Sequence, residues 1–194
     1  MKRHLILRAV VLVLIALTSY GLFMIRRGFS AKEEPSGVEK VLARTMRNMA
    51  IPAVAKNEKN PLPASNSNIQ EGLEHFADHC ATCHANDGSG HSDIGENLYP
   101  KPPDMRSAET QNLSDGEIYY TIANGVRLSG MPASDHSTED NWRLVLFIRH
   151  LRNLTAAERT EMEQLSSSHE NRHEDHEKDD GRDEGSTTPD HHHL

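Results

Sequence analysis

Aromatic side chains are scarce in this 194-residue chain, with four Phe, four Tyr and one Trp making up 5% of it. A core drawn from so little aromatic surface is small, and charged residues at 26% narrow it further. Cysteine is scarcer still, with two. An overall basic character is also missing, since the formal net charge is −8. The imbalance is uneven along the chain: residues 1–68 carry +7, residues 69–154 carry −7 and residues 155–194 carry −8. A basic leading arm followed by an acidic domain and tail excludes nucleic acid as a partner, because phosphate binding needs a positive face on the folded part. No internal repeat is evident.

What the chain does have begins with its two cysteines. They fall in Cys80-Ala81-Thr82-Cys83-His84, a C-x-x-C-H sequence, the attachment signature for c-type haem. Thiols three residues apart lie on one face of a helical turn, where both can add to the vinyl groups of one porphyrin. The next residue, His84, comes round beneath the ring with its imidazole towards the iron. The rival readings are a reduced buried cysteine pair and a redox C-x-x-C of thioredoxin type. If both thiols carry thioethers, no structural disulfide can form. A haem also supplies the apolar surface that the sparse core lacks.

Ala9 to Ile25 is a 17-residue run without charge, about the minimum for a membrane-spanning helix. Leu5–Leu7 extend it if Arg8 snorkels to the interface. Lys2, Arg3 and Arg8 flank one side, Arg26 and Arg27 the other. A cleavable signal peptide is the rival, but two arginines follow the run directly and Gly28-Phe29-Ser30-Ala31 makes a poor cleavage site. An uncleaved signal anchor over residues 1–27 is therefore expected. In bacteria c-type haem is attached outside the cytoplasm. The motif thus orients the anchor with its N-terminus inside, as a single-pass protein of the bacterial cytoplasmic membrane whose haem domain faces the periplasm or cell exterior.

Residues 28–68 read as a tether, either a plain flexible linker or one of which part docks on the domain or the membrane. Val38, Val41, Leu42, Met46 and Met49 recur at helical spacing, which predicts a short amphipathic helix. The prolines at 52, 61 and 63 prevent one continuous helix through the remainder of the tether. A folded domain is expected over 69–154. Asn66, Ser67 or Asn68 caps a helix running to the cysteines, with Ile69, Gly72, Leu73 and Phe76 on one face. Gly72 permits close approach of another helix. Ser114-x-x-Glu117 opens a second helix and Asn124-Gly125 closes it. Ser137-x-x-Asp140 starts a third, whose Trp142, Leu144, Val145, Leu146, Phe147, Ile148 and Leu151 make a wide buried stripe. Thr155-x-x-Glu158 begins a short polar helix over 155–165, and 166–194 is a His- and acid-rich tail that cannot bury enough surface to fold.

Taken together, the segments "IQEGLEHFADHCATCH", "SGMPAS" and "WRLVLFIRHL", in this order, resemble a class I c-type cytochrome domain. "DGSG", "YPKPPDM" and "SDGEIYYTIANG" are similar to parts of bacterial membrane-anchored or periplasmic monohaem cytochromes. The resemblance implies an all-α fold of three to four helices around one covalently bound haem c, here with an N-terminal transmembrane helix. It implies thioethers at Cys80 and Cys83, His84 as proximal axial ligand and a methionine as the distal one. Met131, in a Gly-Met-Pro loop 47 residues beyond His84, is the candidate. Met105, 21 residues away, and Met162 are its rivals. The resemblance also suggests that a carbonyl at Pro102 or Pro103 accepts from His84. Tyr99, Arg106, Tyr120 and Arg127 are candidates for contacts with the haem.

His/Met ligation raises the potential and closes both axial positions, so the expectation is one-electron transfer rather than catalysis, with membrane or periplasmic redox proteins as partners and no small-molecule substrate. The alternative is a fixed cytochrome c subunit of a larger dehydrogenase or oxidase complex. A haem enzyme or gas sensor would need an open iron. Among the other histidines, His75 and His79 at i, i+4 can bind a metal together, and His169, His173, His176, His191, His192 and His193 can do so in the tail. A solvated or packing role is the competing reading for both groups. His91, His136 and His150 read as isolated.

Overall fold

A computed structural model describes residues 2–28 and 30–167. The predicted tail beyond residue 167 lies outside the described residues. Every regular element among them is helical, with no strand. The chain divides into two compact units, Met1–Glu34 and Pro35–Leu194.

The first unit is one helix, α1 (Lys2–Arg27), with Arg26 and Arg27 in its last turn. Its most apolar 18-residue stretch has a mean hydropathy of 2.2, and none of that stretch is buried. It is long and apolar enough to cross a membrane, a test that a signal sequence also passes.

The second unit opens with α2 (Gly37–Ala50). Ser36 and Glu39 close a capping box at its start, the exchange of side-chain and backbone bonds that satisfies two orphan N–H groups. The predicted amphipathic helix is present, but its apolar face is largely exposed among the described residues. Val38, Val41, Leu42, Met46 and Met49 are all exposed. The opposite, basic face makes the contacts, with Arg44 2.5 Å and Arg47 3.7 Å from the Glu109 carboxylate.

The rest of the expected tether is folded against the domain. Ile51 and Ala55 are buried, the latter in α3 (Ala53–Lys56). Lys56 reaches Glu117 at 3.8 Å. The Asn60 amide donates to the Trp142 carbonyl at 2.8 Å, and Leu62 packs on the core. Prolines stop a continuous helix here without preventing a docked irregular chain.

The core is a crossing of α4 (Asn66–His75) and α8 (Thr138–His150). The α4 cap is Ser65, one residue ahead of the expected candidates. Its hydroxyl accepts from the Asn68 N–H, while the Asn68 side chain is spent on the Pro63 carbonyl. Gly72 sits at the crossing as predicted. A Cβ there would lie 2.4 Å from the backbone oxygen of Arg143 and 3.0 Å from the Phe147 Cβ. Beside it Phe76 and Phe147 meet with ring centroids 5.2 Å apart, in the tilted geometry aromatic pairs prefer.

Between these helices run α5 (Ala81–His84), α6 (Ala108–Gln111) and α7 (Asp115–Asn124). Helix α7 has the predicted Ser114/Glu117 capping box and ends on Gly125 at φ 64°. Tyr119 of α7 stacks on Trp142 of α8 at 4.1 Å. Arg149 ties the two elements further, bonding Asp115 Oδ1 and the carbonyls of Gln111 and Leu113.

A last helix, α9 (156–167), carries the predicted Thr155/Glu158 exchange. It runs past residue 165, and it is not merely polar: Met162 is fully buried in the core cluster and Leu165 packs on that cluster. Gln70 of α4 donates to Glu161 at 2.6 Å.

Candidate haem site

The helix expected to run unbroken into the cysteines changes pitch at Phe76–Cys80, where one π turn intervenes. The N–H of Ala81 bonds the carbonyl of Phe76, five residues back, and the extra residue rotates the cysteine-bearing turn relative to α4. Helix α5 then carries Cys83 and His84.

The carbonyls at the end of this turn are all met. Ala85 N–H bonds the Ala81 carbonyl at 2.7 Å and Gly90 N–H bonds that of His84 at 2.8 Å. The Ser92 hydroxyl lies 2.6 Å from the Thr82 oxygen and 3.1 Å from the Cys83 oxygen. Such orphan groups at a helix end otherwise need water or a ligand. The chain leaves the turn through Ala85 at φ 60°, a conformation rare for a residue with a Cβ. Ser92 was not singled out in the sequence, because its partners lie nine and ten residues earlier across a loop.

Cys80 and Cys83 are free thiols. Burial, with the neighbouring Cys83, pushes the Cys80 thiol up to about 12. A redox C-x-x-C of thioredoxin type needs a depressed thiol pKa, so the environment of Cys80 opposes that rival. His84 is buried, and burial brings its pKa down to about 4. Its imidazole is therefore neutral at physiological pH, the form that binds metal. Its Nδ1 is buried without a hydrogen-bond partner. The expected bond to a carbonyl at Pro102 or Pro103 is thus not made.

Of the expected methionines, Met105 and Met162 are buried in the apolar core cluster, where they act as packing. Met131 lies half-buried in the loop between α7 and α8. Both of its backbone groups are engaged: its carbonyl accepts from Val126 N–H at 3.1 Å and its N–H donates to Ser129 Oγ at 3.2 Å. Ser129 in turn donates to the Val126 carbonyl. Gly125 makes this loop feasible. A Cβ on it would come within 2.5 Å of the Pro132 backbone, and its positive φ favours glycine.

Of the other candidates, Arg106 is engaged with acids. It holds Asp87 at 2.6 Å and Asp104 at 2.9 Å, closing the loop that follows His84. Tyr99 and Arg127 are exposed, and Tyr120 is half-buried on α7.

The surroundings fit a haem. Beyond residue 54, the large apolar side chains standing exposed among the described residues are Ile94, Tyr99 and Leu128. They lie on the two loops that follow the Cys-Cys-His turn and precede Met131. A flat apolar group held at that turn accounts for the pattern, as do the unpaired thiols and the buried neutral imidazole.

An all-helical domain with a buried histidine ending a Cys-x-x-Cys-His turn is of the c-type cytochrome class. Residues 67–148 match the family described as cytochrome c oxidase, cbb3-type, subunit III, which indicates a c-type cytochrome domain in this segment, consistent with class I. No curated protein sequence matches the chain significantly.

Proposed function

We propose that the domain carries one haem c, joined by thioethers to Cys80 and Cys83 and held axially by His84 and Met131, and that it relays single electrons on the outer side of a bacterial cytoplasmic membrane. When bound, the haem supplies a reversible Fe(III)/Fe(II) couple. The residues supply the rest. Burial keeps His84 neutral for ligation. The two backbone bonds of Met131 hold the main chain of its loop. A thioether favours ferrous iron, so this pair raises the potential relative to two histidines. Two closed axial positions leave no place for a small-molecule substrate. The observation that carries the reading is the Cys-x-x-Cys-His turn itself, with free thiols and a buried imidazole, inside a c-type cytochrome domain.

Helix α1 is the anchor in this reading. A membrane anchor raises the effective concentration of the haem domain for membrane partners. The acidic domain suits a basic docking surface.

A second reading is favoured by the family match, whose description names an oxidase subunit. In it the chain is a fixed haem subunit of a larger complex. Redox titration of the full chain, expressed with c-type haem maturation and taken up in detergent, tests the first claim. One single-electron wave is expected. A chain without covalent haem, or with more than one wave, overturns it. Stoichiometric co-purification with catalytic subunits from native membranes selects the second reading over a free shuttle.

A further inference from the structure

Two histidines four residues apart, His75 and His79, meet a third from a distant segment, His136, beside the haem-attachment turn. His75 ends α4, His79 lies in the π turn and His136 comes from the loop before α8. One ring nitrogen from each falls within 4.8 Å of the others. The rings themselves pack closely. The centroids of His79 and His136 are 4.4 Å apart and those of His75 and His136 4.8 Å. Three imidazoles converging on one point place three lone pairs where an ion can accept them, and the crossing of α4 and α8 holds them there.

Two further observations point to a ligand. The Nδ1 of His75 is buried with no hydrogen-bond partner, an unmet demand that a metal bond at that nitrogen would satisfy. The neighbours also orient the rings. His79 Nδ1 lies 3.3 Å from the carbonyl of His75, so a proton there leaves Nε2 as the free donor. The Asp140 carboxylate lies 3.7 Å from His75 Nε2, and it favours the proton on that atom and the lone pair on Nδ1. Carbonyl and carboxylate partners of this kind fix the tautomers of metal-binding histidines. Arg143, which shares Asp140 with His75, is occupied by Glu71, Glu139 and Asp140. Burial, followed by the two neighbouring imidazoles, holds His136 below the usual histidine range.

We propose that His75, His79 and His136 bind one late first-row divalent cation of the Zn²⁺ or Cu²⁺ kind. Nitrogen donors select such ions over Mg²⁺ and Ca²⁺, which require oxygen. Three protein ligands leave a fourth tetrahedral position for water or a partner's side chain. The site is separate from the haem ligands and uses none of them.

Zn²⁺ is the probe, since it has no redox chemistry of its own. Equilibrium dialysis of the full chain is done with the six tail histidines, His169, His173, His176, His191, His192 and His193, replaced by Asn to remove background binding. One equivalent of Zn²⁺ is expected, and Mg²⁺ in excess should not displace it. His136→Ala should weaken binding at least about tenfold, the loss that even a supporting residue can cause. His79→Asn, at an exposed position, should do the same without disturbing the core and guards against a folding defect. His91→Asn, on a distant loop, should change nothing. Zn²⁺ should also raise the melting temperature of the parent but not of the His79 variant. Absence of Zn²⁺ binding, or binding unchanged by both ligand substitutions, overturns the proposal.

Discussion

The two sides of the domain are built differently. On one side α4 and α8 cross with Leu73, Phe76, Leu144, Val145 and Phe147 almost wholly excluded from solvent. Each side chain there finds protein neighbours, and even the space beside Gly72 is closed by the Arg143 backbone. On the other side, the loops around His84 and Met131 expose Ile94, Tyr99 and Leu128, the last at 93%. The loops are not loose, since Arg106, Ser92 and Ser129 bond them internally. They are ordered by hydrogen bonds where the helices are ordered by packing. One half of the domain is thus closed by packing, and the other leaves apolar side chains of its loops open to solvent.

The difference can be attacked from either side. The largest effect is expected from Cys80→Ala with Cys83→Ala, which should abolish covalent haem altogether, read as loss of the haem increment in the intact mass. On the packed side, Phe147→Ala should cost about 3–5 kcal/mol, measured by denaturant unfolding of the holoprotein. Gly72→Ala should cost about 1–3 kcal/mol or more, because the obstacle is the Arg143 backbone rather than a movable side chain. On the loop side a similar apolar change should act only where haem covers the side chain. Leu128→Ser should cost more in the holoprotein than in the haem-free chain, where the side chain is 93% exposed and the change should stay within about 0.5 kcal/mol.

The smallest effect concerns pH. The Arg106 guanidinium, by its hydrogen bond to Asp104, holds that carboxyl below its usual value. A depressed carboxylate contributes stability above its unfolded pKa and loses it as pH falls through the folded value. Stability should therefore decline below about pH 4. Arg106→Gln should flatten that decline by well under about 1 kcal/mol, since the pair is partly exposed. A decline left unchanged by the substitution would remove the loop's ion pairs from the explanation.

How much of this was legible in the sequence depended on range. Capping boxes at Ser114 and Thr155 could be read because they act over three residues. The stripe of α8 and the role of Gly72 followed from periodicity and from the absence of a side chain. The Cys-x-x-Cys-His turn identified the candidate site by itself. What escaped was fixed by contacts between distant segments. The particular docking of Ile51, Ala55 and Leu62 leaves no periodic trace in a proline-rich stretch. Met162 looked like part of a polar helix because one buried side chain in three turns makes no stripe. The π turn has no sequence signature, and His136 looked isolated because its partners arrive only through the α4–α8 crossing. The stripe of α2 was seen correctly, yet periodicity could not tell that its charged face would do the docking.

The central claim is that His84 and Met131 close both axial positions, making the site a relay. Mixing carbon monoxide with the reduced full-length protein tests it most directly. A closed site predicts a reduced absorption spectrum that does not change on mixing, whereas rapid conversion to a carbon monoxide complex would show an open iron and contradict the assignment of Met131.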